Sequence, residues 1–225
     1  MSKPTKYTDR KKGWNRKKVK SKVYKIDVVI PKKTFLIICE GQNTEPEYFR
    51  SFPLSNASVT SFGIGKSKTA LIESIIDQYG HQTDELEIWA VFDMDRKEDQ
   101  LHQQRQDYNN AIDLARQNGI YPAYSNDAFE LWFVLHYQYT DAELHRTGLY
   151  QILSNHFACN YEKDGKRLSF CQNIYDRLEQ DFNADMDQAI KNADRLFEDQ
   201  KHLPFCDQNP CTTVYQLVVE LKKYL

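Results

Sequence analysis

The chain has 225 residues, with 30 Lys/Arg against 32 Asp/Glu, a formal charge of −2, and 40% hydrophobic residues. The near-neutral total conceals a split: residues 1–25 carry 11 Lys/Arg and the single acid Asp9, a charge of +10, and residues 26–225 carry −12. No apolar run reaches the roughly 18 residues that a membrane span needs. The basic N-terminus lacks the apolar segment of a signal peptide, and the composition suits a folded rather than a disordered chain, so a cytoplasmic location is expected.

Residues 1–33 read as a basic, disordered tail. They have Lys/Arg at almost every other position and no apolar period, apart from a short run at Ile26–Ile30 that would make an edge strand ending at Pro31. Thr34–Cys39 is a continuous apolar run, as expected of a strand buried on both faces of a parallel sheet. Thr44 with Glu47 forms a Thr-x-x-Glu capping box for a helix that opens at Glu45-Pro46. A second strand is expected at Ala57–Phe62, a helix from Lys68 to Tyr79, a third strand at Leu86–Phe92, a helix from Lys97 to Gln117 stopped by Gly119, a fourth strand at Ile120–Tyr124, and an aromatic helix over Ala128–Tyr139. This alternation predicts an α/β fold: a parallel sheet of about four strands flanked by helices over residues 34–139. Ligands of such sheets sit beyond the carboxyl ends of the strands.

No strand is expected after Thr140. A second capping box, Thr140 with Glu143, would open a helix running to His156. Lys163–Arg167 reads as a loop, and further helices follow at Ser169–Gln180, Ala184–Gln200 and Thr213–Leu225, so residues 140–225 form a helical C-terminal region packed on the sheet domain.

Two strand ends carry acids: Glu40 after the first, and Asp93-Met94-Asp95 after the third. If the strands are adjacent, Glu40, Asp93 and Asp95 converge, and crowded carboxylates need a cation. Hard oxygen ligands select magnesium or manganese, and such an ion suits phosphodiester chemistry. Glu130 lies among Phe129, Leu131, Trp132 and Phe133 and needs a partner there. It is a candidate additional metal ligand, on one helix face with Asn126. Arg96, Lys66 and Lys68 are candidate phosphate contacts. In the tail, Lys11, Lys12, Arg16, Lys17 and Lys18, with aromatic neighbours, suit nucleic-acid binding. Glu45 sits at the positive end of its helix, where a carboxylate is favoured in any case, and His136 reads as a hydrogen-bonded core residue.

Gly63-Ile64-Gly65-Lys66-Ser67 lacks the first glycine of a phosphate loop, having Thr60 there, and is taken as a plain connection. The Asp93-x-Asp95 pair also departs from the haloacid-dehalogenase pattern, since it follows the third strand. Five cysteines with no Cys-x-x-Cys pair argue against a disulfide framework. His202, Cys206 and Cys211 lie close in sequence without an evident fourth zinc ligand.

A glutamate after the first strand and Asp-x-Asp after the third resemble the Toprim domain of topoisomerases, primases and OLD-type nucleases. More narrowly, Cys-Glu-Gly-Gln-Asn-Thr-Glu-Pro-Glu-Tyr-Phe at 39–49 resembles the opening motif of RloB-like proteins. So do Phe92 to Asp95, Ser125 to His136 and Asn209 to Val214, in the same order. The resemblance implies a Toprim-like fold, with Glu40 as general acid/base or metal ligand and Asp93 and Asp95 as magnesium ligands. It places Thr44 and Glu45 in the same motif. It also implies a setting beside restriction or abortive-infection genes, often with an ATPase of the AAA or ABC type as neighbour. The expectation is a magnesium-dependent nuclease of anti-phage defence, with DNA and RNA, tRNA included, both open as substrates. The alternative is a non-catalytic metal- and nucleic-acid-binding subunit of an ATPase-containing complex.

Overall fold

The computed structural model describes residues 33–79, 85–96 and 100–225. The tail residues Lys11, Lys12, Arg16, Lys17 and Lys18, the Ile26–Ile30 run and the expected helix start at Lys97 lie outside the described residues.

Five strands form one sheet. They are β1 (Lys33–Cys39), β2 (Ala57–Gly63), β3 (Leu86–Asp93), β4 (Tyr121–Asn126) and β5 (Cys211–Thr212), in the order β2-β1-β3-β4-β5. The first four run parallel, and β5 joins β4 antiparallel. A parallel strand between two partners has apolar neighbours on both faces, which explains the unbroken Phe-Leu-Ile-Ile-Cys run of β1. Its residues alternate between two cores. Phe35, Ile37 and Cys39 join Trp89 and Val91 on one face, and Leu36 and Ile38 join Ile88, Ala90 and Phe92 on the other. The Val, Leu, Ile and Phe side chains among them each stabilise by about 1.5–3 kcal/mol relative to exposure.

The second core is closed by α2 (Lys68–Tyr79) and α3 (Leu101–Gln117). The first is closed by α1 (Thr44–Arg50), α4 (Glu130–Val134), α5 (Arg146–His156), α6 (Leu168–Cys171), α7 (Ile174–Gln180), α8 (Met186–Gln200) and α9 (Val214–Lys222). The α/β class, the parallel sheet with helices on both faces and the helical C-terminal region agree with the sequence reading. Among the described residues, no helix is long and apolar enough to cross a membrane.

Several local expectations are corrected. A strand does occur after Thr140: β5 pairs Thr212 with Ser125 and Cys211 with Asn126. The capping box at Thr44 does not form. The helix already includes Thr44, and its hydroxyl turns inward to within 3.6 Å of the Cys171 sulfur. Glu47 pairs with Arg50 instead. The box at Thr140 and Glu143 does not form either. The Thr140 hydroxyl accepts from the Ala142 N–H, Glu143 accepts from Asn209, and α5 starts only after His145, whose ring nitrogen accepts from the Thr147 N–H. Thr44 and Glu143 turn to tertiary partners, and Glu47 and Thr140 pair with Arg50 and Ala142 close by in the chain. The aromatic helix is confined to Glu130–Val134, and the expected loop at Lys163–Arg167 begins within a π turn over Tyr161–Gly165.

Candidate functional site

The strand registers place Cys39 beside Gly63 and Val91, and Asp93 beside Ser125. The residues that follow β1, β2, β3 and β4 therefore emerge on one edge, as the parallel order requires. Glu40 leaves β1 with its backbone N–H still bonded to the Val91 carbonyl at 2.8 Å. The Asp93 N–H near the Glu40 carboxylate, and the Phe129 N–H near the Asp93 carboxylate, favour the charged forms. Glu40 Oε2 and Asp93 Oδ1 are buried with no hydrogen-bond partner.

Glu45 and Glu130 join this pair. Burial pushes the Asp93 carboxyl well above the usual carboxylate range, and Glu45, Glu130 and Glu40 push it further. Burial also raises Glu40, although the Lys68 ammonium and the Asp93 N–H oppose it. Glu45 is pushed up to about 7 by burial, with Lys166 and its own N–H opposing and Glu130 and Glu40 adding to the rise. The four carboxylates thus lie within electrostatic reach of one another. Glu130, 1% exposed, is paired with Lys166 and accepts from the Tyr161 hydroxyl at 3.4 Å. Lys166 stays charged: burial works against it, but Glu130 and Tyr150 hold its pKa above the ordinary lysine value. The loops close tightly here. A Cβ on Gly41 would strike the Glu45 carboxylate, and one on Gly63 would fall on the Gly41 carbonyl.

Beside the four carboxylates lies an open cleft of about 420 Å³ lined by Glu40, Ser67, Lys68, Asp95, Gln103 and Asp107 among others. Lys68 and Asp95 hold positive φ values of 41° and 51°. Such left-handed backbone costs a non-glycine residue about 1–2 kcal/mol, and both residues line the same cleft. Lys68 is buried, the first residue of α2. Asp95 lies 2.5 Å from the Arg146 guanidinium, which also approaches Asp127 at 3.6 Å. Asp127, buried after β4, accepts from the backbone N–H groups of Arg96 and Arg146 and fastens the loop after β3 to the start of α5.

The sequence candidates therefore divide. Glu40, Asp93 and Glu130 come together with Glu45, while Asp95 stands at the cleft with Arg146. Lys68 joins Glu40 in the cleft. Lys66 is tied to the Ser74 hydroxyl on α2, and the Arg96 side chain turns to the Cys206 carbonyl and Glu143. Thr44 points to Cys171. Asn126 does not share a helix face with Glu130: it ends β4, and its amide donates to the Cys206 and Gln208 carbonyls. His136 is a core residue, its Nδ1 2.9 Å from the Trp132 carbonyl. Burial lowers its pKa to about 4. Cys206 and Cys211 are buried free thiols bound by Asn109 and Gln208, with His202 exposed.

Asp127, Arg146, Lys166 and Asp107 escaped the sequence reading. Asp127 had a signal, an acid directly after the fourth strand. The two cations had none, since only tertiary packing brings α5 and the π turn to this edge. Among the described residues, no three His, Cys, Asp or Glu side chains are already arranged as a metal cage. The donor set still fits a hard cation. It offers two unpartnered buried carboxylate oxygens, with further acids held by lysine and arginine.

Fold and site define an α/β protein with an acidic centre on the carboxyl edge of a mostly parallel sheet. A family model described as RloB-like protein matches residues 35–221, most of the chain, and the protein belongs to that family. No curated protein and no solved structure matches it.

Proposed function

We propose that this chain is a Toprim-like, magnesium- or manganese-dependent nuclease that hydrolyses phosphodiester bonds in DNA or RNA. The observation that carries the reading is the pair of buried, unpartnered oxygens on Glu40 and Asp93, set on adjacent parallel strands among Glu45 and Glu130. Burying ionised carboxylates without partners is costly, and a divalent cation removes that cost. Glu40, Asp93 and, after exchange of their ion pairs, Asp95 and Glu130 are the residues that would hold it. Such an ion polarises a phosphate and lowers the pKa of water. Glu40 lines the open cleft, where it would either hold the ion or accept a proton from the attacking water. Lys68 supplies a buried positive charge on the same wall.

The family resemblance adds a role in anti-phage defence and regulation by an ATPase partner. The ion pairs Lys166–Glu130 and Arg146–Asp95 favour a resting form whose acids are occupied by the protein's own cations. That also accommodates the second reading, a binding subunit without catalysis.

Incubation of the purified protein with single-stranded DNA, structured RNA and tRNA, with magnesium or manganese, tests the proposal. Cleavage is expected to depend on the metal and to be lost by about 100-fold or more in Glu40→Gln and Asp93→Asn. Because Asp93→Asn removes one of several repelling charges and keeps an acceptor for the Phe129 N–H, the metal-free variant is expected to melt a few degrees above wild type, about 2–4 °C per kcal/mol gained. Persistent cleavage in both folded variants would overturn the assignment. Manganese binding without cleavage, with or without an ATPase partner, would favour the second reading.

A further inference from the structure

The residues that oppose the acidic centre come from outside the sheet. Arg146 and Tyr150 lie one turn apart on the same face of α5, and Lys166 follows the π turn that packs against that helix. The Lys166 ammonium sits 5.3 Å from the centre of the Tyr150 ring. Burial raises the Tyr150 hydroxyl, Glu130 and Asp93 raise it further, and Lys166 and Arg146 oppose them. The helical C-terminal region thus brings two cations and an aromatic ring against the carboxylates.

Both cations are held by carboxylates. The Arg146 guanidinium reaches Asp95 at 2.5 Å through one Nη and Asp127 at 3.6 Å through Nε. Lys166 keeps about two-fifths of its side chain exposed while its ammonium reaches the buried Glu130. Both contact acids that the proposed ion would share. An arginine fork and a flexible ammonium match phosphate oxygens well.

We propose that Arg146 and Lys166 form the phosphate-binding subsite for a polynucleotide strand, exchanging Asp95 and Glu130 for substrate phosphates when a divalent cation takes up those carboxylates. The exchange conserves charge pairing: each carboxylate passes from a protein cation to the metal, and each freed cation passes to the strand. The Lys166 ammonium lies over the Tyr150 ring. This inference rests on the cation reading of the acidic centre.

The test uses the full chain with calcium, an ion that supports binding but is a poor substitute for magnesium in hydrolysis. Fluorescence anisotropy follows binding of single-stranded DNA, single-stranded RNA and duplex DNA across a salt series for wild type, Arg146→Ala, Arg146→Lys and Lys166→Gln. Manganese uptake is measured separately by calorimetry. Removing one phosphate-neutralising side chain is expected to reduce the slope of log K against log salt by about 0.7 on a single strand. Arg146→Ala and Lys166→Gln should weaken strand binding by about tenfold or more. Arg146→Lys should restore part of it. Manganese uptake should be kept or tightened, since an internal competitor is gone. A purely structural role would lower the melting temperature and leave the salt slope alone. Manganese uptake with an unchanged slope in both variants would overturn this inference while leaving the metal reading intact. Absence of manganese uptake by the wild type would overturn the metal reading, and the exchange with it.

Discussion

At the scale of single residues, His136 shows how burial fixes a protonation state. It is 2% exposed, its Nδ1 bonded to the Trp132 carbonyl and its Nε2 without a partner. Burial lowers its pKa from 6.5 to about 4, with only the Trp132 carbonyl and Asp185 opposing. A histidine whose folded pKa is depressed binds its proton more readily in the unfolded chain, so its share of stability is present above the unfolded pKa. That share is lost as pH falls from about 6.5 towards 4, at about 1.4 kcal/mol per pH unit. Glu40, Asp93 and Glu45, whose pKa values are raised, act in the opposite sense, so the wild-type profile alone mixes both. The difference in urea stability between wild type and His136→Gln cancels the acids. It should shrink steadily below pH 6.5 and stay flat above it. A flat difference throughout would mean that the ring titrates in the folded protein as it does in the unfolded chain.

The element scale decides how much of the fold and site was legible in the sequence. The four long strands and their helices follow from apolar runs and periodicity, because burial on both faces leaves a mark that any tertiary arrangement must respect. Glu40 and Asp93 were legible for the same reason, as the first polar groups beyond buried strands. The two-residue β5 carries no period, and its pairing depends on the chain returning from α8. The two capping boxes failed because Thr44 and Glu143 found tertiary partners and Thr140 accepts from the Ala142 N–H two residues on. The junction of β1 and β2 shows where the packing tolerates no added atom. A Cβ on Gly63 would meet the backbone of Gly41 and Gln42, whereas one on Gly41 meets only the carboxylate end of Glu45. Gly63→Ala is expected to destabilise by about 1–3 kcal/mol, as overpacking does. Gly41→Ala should cost less stability and instead displace Glu45, weakening manganese uptake. Chemical denaturation with calorimetry separates the two. Equal, small losses would show that the loops after β1 and β2 part freely.

At the scale of the whole molecule, the charge distribution poses a problem that one segment solves. Residues 26–225 carry −12 and bring several acids to one edge, a field that repels a polyanion. Residues 1–25 carry +10, and removing them takes the formal charge from −2 to −12. If the tail draws nucleic acid towards the acidic edge, its lysines and arginines release counter-ions from the strand. Deletion should then lower the salt slope by about 0.7 for each phosphate that the tail had neutralised. A tail touching about five or more phosphates would remove about 3–4 units of slope, far beyond the effect of Arg146 or Lys166 alone, and would slow association at low salt most. Manganese uptake should not change, because no tail residue belongs to the carboxylate set. A truncated chain that binds with an unchanged slope would make the tail a solubilising arm or a docking segment for an acidic partner. The acidic edge would then have to draw in its substrate with Lys68, Arg146, Lys166 and the metal alone.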